Sequence, residues 1–184
     1  FAIQETGVVA GRTLVDEGRM QLCAPFSIFR KDFLTAEALE FMEGIYHEDA
    51  EFSPRAYYLA ERVGSIDECL YFVRQNEGSI TRSYNPKRSL DYLNRVIPSL
   101  SDFSCKVGRE YRKGFDNLIS SNFSNALKNS LTFKPEDLKE LDATAYRQRR
   151  YLRHLRRSAI LKYRIEGLVL SLFPRHMCAA YKAM

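Results

Sequence analysis

The chain has no tryptophan, three histidines, four cysteines, six prolines and nine glycines in 184 residues. So few prolines and glycines argue against an all-β chain, which needs many tight turns. No apolar run approaches the ~20 residues that a membrane-spanning helix requires; the most apolar stretch runs only from Gly167 to Phe173. The cysteines at 23, 69, 105 and 178 form no CxxC pair, and no second pair accompanies His176 and Cys178. Disulfide frameworks and zinc sites are therefore not expected, and reduced, mostly buried thiols are. No G-x-x-x-x-G-K-[ST] or G-x-G-x-x-G phosphate loop and no G-x-S-x-G elbow occurs. These absences argue against nucleotide-dependent and common nucleophilic enzymes.

What is present fits a globular, all-α protein. Hydrophobic residues make up 45% and charged residues 28%, enough apolar surface for one core and too much for disorder. Residues 1–34 show no helical period, and Gly7, Gly11, Gly18 and Pro25 predict an extended N-terminal arm. Beyond it the spacing predicts about six helices. Thr35 caps one that runs to about His47, with Leu39, Met42, Ile45 and Tyr46 as its apolar stripe. Ser53-Pro54 opens another that ends at Gly64, and the capping box Ser65–Glu68 opens one that stops near Gly78. Asn85-Pro86 starts a helix that ends before Pro98, and Ser101 or Asp102 starts a segment that runs to about Leu131. Residues 35–131 are the expected helical core. Residues 132–184 are expected to be a long basic helix and tail, with Glu136 and Asp137 complementing the dipole in its first turn. Without a break before Pro174 that helix has about 38 residues, roughly 57 Å at 1.5 Å per residue.

Charge is unevenly distributed. Residues 1–100 carry 11 basic and 15 acidic side chains, and residues 101–184 carry 17 and 8. Arg147, Arg149, Arg150, Arg153, Arg156, Arg157, Lys162 and Arg164 fall within 18 residues that contain no acid. On one continuous helix Arg150, Arg153, His154, Arg157 and Arg164 share a face, and Leu152, Leu155, Ala159 and Tyr163 lie opposite. Such a face suits a polyanion: RNA phosphate, an acidic protein or anionic lipid. The interleaved Tyr146, Tyr151 and Tyr163 could stack on bases or receive guanidinium groups. The counterpart is Glu37, Glu40, Glu43, Glu48, Asp49 and Glu51, with no Lys or Arg among them. Glu43 and His47 stand at i,i+4, one residue off the Glu-x-x-His spacing of di-iron bundles, so an acidic docking surface is expected and a metal is not.

These features predict a non-catalytic structural or linker subunit of a large, organellar, energy-converting multi-protein assembly, which binds its neighbours through the extended arm and the Arg/Tyr-rich helix, with other subunits as partners and no cofactor. The alternative is an RNA-binding subunit of an organellar ribosome or other ribonucleoprotein that uses the basic helix. A third reading is a small helical enzyme or a chromophore-bearing antenna linker, in which Cys69 carries the chromophore. Peripheral membrane contact is a further expectation, a transmembrane segment is not. Phe1 is no translation start, so a removed targeting segment and an organellar location, mitochondrion or plastid, are expected.

Overall fold

The computed structural model describes residues 10–74 and 84–184. The described residues form nine helices and no strand. They are α1 (Gly11–Glu17), α2 (Lys31–Ala36), α3 (Glu48–Leu59), α4, α5 (Arg112–Asn129), α6 (Pro135–Arg147), α7 (Leu152–Arg157), α8 (Leu161–Leu172) and α9 (Met177–Ala183). α4 is one rod of three segments: an α turn Lys87–Asp91, a π turn Tyr92–Val96 and an α stretch Ile97–Ser104.

α5 is the axis. Phe115, Ile119, Phe123, Ala126 and Leu127 recur every three or four residues along it and are fully buried. α1, α4, α7, α8 and α9 all pack on α5. One core joins Leu14 and Val15 of α1 to Leu170 of α8 and Met177 of α9. A smaller cluster forms on Phe52 of α3, where Leu39 and Ala56 are buried and Phe29 and Phe33 pack. Phe41 stacks on the Phe52 ring at 4.0 Å, and Phe29 meets it edge-on at 5.5 Å.

The N-terminal arm is not an arm where it is described. α1 lies in the core, and two glycines let it do so. A Cβ on Gly11 would fall 1.9 Å from the Tyr57 carbonyl oxygen of α3. One on Gly114 of α5 would fall 2.6 Å from the Val15 carbonyl oxygen. α1 is thus held between α3 and α5 at backbone contact distance. Its period was hidden because seven residues are too few to show one. Residues 1–9 lie outside the described residues.

Other boundaries also differ from expectation. No helix starts at Thr35, which lies in the last turn of α2, and residues 37–47 run without helix to His47, which adopts φ 65°. Pro54 lies inside α3, not at its start. Residues 65–74 are not helical, so the Ser65–Glu68 capping box opens no helix, and its expected end near Gly78 lies outside the described residues. The Asn85 cap holds, with Oδ1 accepting from the Lys87 backbone N–H at 3.1 Å. α4 continues through Pro98 because the π turn just before it widens the helix where the proline ring would otherwise meet a carbonyl.

The long C-terminal helix is the largest correction. It is three helices and a tail. A 3₁₀ turn, Arg149–Tyr151, follows α6, and the chain breaks again after α7. The second break has a tertiary cause. Asn117 Oδ1 of α5 accepts from the Ser158 hydroxyl at 2.7 Å and the Ala159 N–H at 2.9 Å. The Ser158 Oγ then accepts from the Ile160 N–H at 3.1 Å. α8 folds back on α7, and α9 is tied to α6 by the Cys178 N–H donating to Asp142 at 2.8 Å.

Gly114→Ala should lower the unfolding free energy by about 1–3 kcal/mol, because the added methyl meets backbone that cannot yield. Gly64, with nothing within 4 Å of an added Cβ, provides the control. Gly64→Ala should stay within roughly 0.5 kcal/mol of the parent in the same urea titration.

Candidate protein-interaction surface

The site is built from α7 and α8. Gly167 sets how they meet: a Cβ there would lie 2.7 Å from Leu155 Cβ and 3.1 Å from the Arg156 backbone nitrogen. With no side chain at 167, α8 lies directly on α7 and buries Glu166, Gly167 and Leu170. The outward side of α8 is also apolar. Leu161, Ile165, Leu168 and Leu172 are 65%, 50%, 60% and 75% exposed. Their spacing of four, three and four residues is that of a coiled-coil seam. At about 100° per residue they fall within an arc of about 60°. Ile160 and Phe173, which flank α8, are also exposed. The sequence reading marked Gly167–Phe173 as apolar but not the 161/165/168/172 spacing, which the residues do show.

The basic residues divide into two groups. Five are engaged by the protein itself. Arg147 donates to Thr144 Oγ1 at 2.6 Å, and Arg153 donates to Ser101 Oγ at 3.3 Å. Arg149 lies 4.3 Å over the Tyr146 ring, and Arg150 lies 4.8 Å over Tyr151 and donates to its hydroxyl at 2.8 Å. Arg175 also lies over Tyr146, so Tyr146 and the buried Tyr151 receive guanidinium groups of this chain. Lys162 pairs with Glu166 at 3.6 Å. Arg156, Arg157 and Arg164 are exposed, and their guanidinium groups have no carboxylate, ring or hydrogen-bond partner among the described residues. The single-face expectation is corrected for His154, which is buried, and for Ala159, which is exposed because the helix breaks at Ser158.

His154 belongs to a polar cluster inside the fold. Its Nδ1 carries the proton and donates to Asp116 Oδ1 at 2.5 Å, since an ionised carboxylate can only accept. Its Nε2 accepts from the Ser101 hydroxyl at 3.0 Å and from Arg153 Nε at 3.4 Å. This is the order of a Ser–His–Asp triad. Yet Ser101 is 1% exposed under the Arg153 guanidinium, and its neighbouring backbone N–H groups belong to the helix. Neither room for a substrate nor donors for an oxyanion are at hand, as acyl transfer would need. The cluster instead joins α4, α5 and α7. The sequence reading missed it because the one-helix wheel placed His154 outside.

The acidic residues do not meet the basic ones. Glu37, Glu40, Glu43 and Glu48 are exposed, and Asp49 is half-buried. Glu51 is buried, where it accepts from Arg55 at 2.7 Å and from the Ser99 hydroxyl at 2.5 Å. Glu43 and His47 lie outside any helix. Residues 41–49 and Arg88 line an open depression of about 580 Å³. His47 stacks on Tyr92 there at 3.8 Å. Burial, reinforced by the Arg88 charge, lowers its pKa from 6.5 to about 4, against the opposing pull of Asp91. Among the described residues, no three His, Cys, Asp or Glu side chains are grouped to hold a metal ion. Cys69 is exposed in a non-helical stretch, not mid-helix as expected, and Cys178 is buried with its thiol pushed up to about 12.

Two measurements check these assignments. His154→Ala should destabilise the protein by about 2–4 kcal/mol in denaturant melts, because it opens a cavity and leaves the buried Ser101 hydroxyl short of its acceptor. His47 is held neutral in the fold and charges readily once unfolded. Its contribution to stability is therefore complete above pH 6.5 and is lost as pH falls towards about 4. His47→Asn, which tolerates the left-handed backbone, should flatten the stability–pH slope between pH 6.5 and 5. Neither a protein-family model, nor a curated protein, nor a solved structure matches this chain.

Proposed function

We propose that this chain is a non-catalytic structural subunit of a larger multi-protein assembly and that α8 is its docking element. One observation carries the reading: the Leu161–Ile165–Leu168–Leu172 stripe, exposed at seam spacing on a helix whose other face is already packed. Covering these side chains would return roughly 1–2 kcal/mol each, a strong reason for a partner to sit there. Catalysis has no comparable support, because the Ser101–His154–Asp116 cluster is closed. No described helix is long and apolar enough to cross a membrane.

RNA binding is the second reading, favoured by the partnerless Arg156, Arg157 and Arg164. Its weakness lies in the tyrosines. Of the three rings expected to stack on bases, Tyr146 and Tyr151 are covered by Arg149, Arg150 and Arg175, and Lys162 lies over Tyr163 at 5.6 Å.

In gently lysed source material the protein should sediment in a particle far larger than its 21.4 kDa chain. Leu168→Asp should shift it to the top of the gradient without lowering its melting temperature, since Leu168 is exposed in the free chain. Ribonuclease treatment should leave the particle intact. Release by ribonuclease, with no effect of Leu168→Asp, would favour the RNA reading instead.

A further inference from the structure

We infer that the partner laid along α8 is an amphipathic helix of another polypeptide, with a leucine-type stripe bordered by Asp and Glu. This rests on the reading of α8 as a docking face and adds the chemistry of what docks. Residues 143–184 carry ten Lys and Arg side chains and a single acid, Glu166. Glu166 is buried and paired with Lys162, so it leaves no exposed negative charge in that region. Arg164 lies about 70° of helical arc from the middle of the stripe on one side, and Lys162 about 90° on the other. Arg156 and Arg157 add two partnerless guanidinium groups on the adjoining α7. Planar guanidinium groups match carboxylates in two-point contacts.

Two other occupants fit less well. A second copy of this chain would bring Arg164 and Lys162 of each stripe against their counterparts, and like-charge juxtaposition opposes such pairing. A lipid surface suits a broad apolar face sunk into the head-group boundary. The stripe here spans about 60° and is the narrow seam of helix-to-helix packing.

The test uses three 21-residue synthetic helices read by fluorescence anisotropy against the full chain. One has leucines at the four-three-four spacing bordered by Glu, the second has Lys for every Glu, and the third keeps Glu but has Ser for Leu. The Glu-bordered leucine peptide should bind at least tenfold tighter than either other peptide, and the preference should shrink as salt rises from 50 to 500 mM. Leu168→Asp should weaken that binding at least tenfold. The double variant Arg157→Glu/Arg164→Glu, altered only at exposed positions, should transfer the preference to the Lys-bordered peptide. Equal binding of the Glu- and Lys-bordered peptides, or no binding of either, overturns the inference. So does flotation of the chain with phosphatidylcholine/phosphatidylglycerol vesicles without peptide selectivity, or concentration-dependent self-association through α8. A large native particle released by Leu168→Asp would, in any of these cases, leave the subunit reading standing while the acidic partner falls. A monomer in native extract would remove the subunit reading itself.

Discussion

Gly167 has no side chain, and the placement of α8 depends on that. Any Cβ at 167 would push into Leu155 and the α7 backbone. With hydrogen there, α8 lies flat on α7, buries Leu170 and turns its second apolar face outward. The Ser158–Asn117 contacts supply the other half of the constraint, because they stop α7 and let the chain reverse. Without the reversal, the basic segment would project as a single rod. With it, a compact body presents one apolar line beside unpaired arginines.

The same device recurs at the other end of the chain. Gly11 and Gly114 admit α1 between α3 and α5, so the interior is assembled by helices approaching at backbone distance. Polar groups then fix which helices meet. Ser101, Asp116 and His154 join α4, α5 and α7, and Glu51 joins α3 to Ser99 of α4. Buried polar contacts of this kind specify partners as well as stabilise them, because a wrong pairing would strand each group without its acceptor or donor. A core built this way holds α8 by its inner face and leaves its outer stripe exposed.

The all-α class was legible in the low Gly and Pro content, the Asn85-Pro86 start in its cap chemistry, and the start of α6 in the acidic first turn of Glu136 and Asp137. The breaks were not. Nothing near Ser158 reads as a stop, since the acceptor that stops the helix, Asn117, is 41 residues away in sequence. α1 escaped notice because its cause, contact across two glycines, is tertiary. Thr35 and Ser65 misled for the opposite reason: local cap signals were present, yet residues 37–47 are drawn instead onto Phe52 through Leu39 and Phe41. Of the surface features, the basic run was plain in sequence. Which arginines are spent on Tyr146, Tyr151 and Ser101, and which remain, needed the fold.

On the proposed reading, the outer face of α8 is covered in the protein's working state. Hydroxyl-radical footprinting of the native particle against the isolated chain, read by mass spectrometry at Leu161, Ile165, Leu168 and Leu172, measures that cover directly. The account predicts strong protection of these four side chains in the particle, with exposed Ile28, on a different part of the fold, as an internal reference in the free chain. Equal oxidation of the stripe in both samples would contradict it.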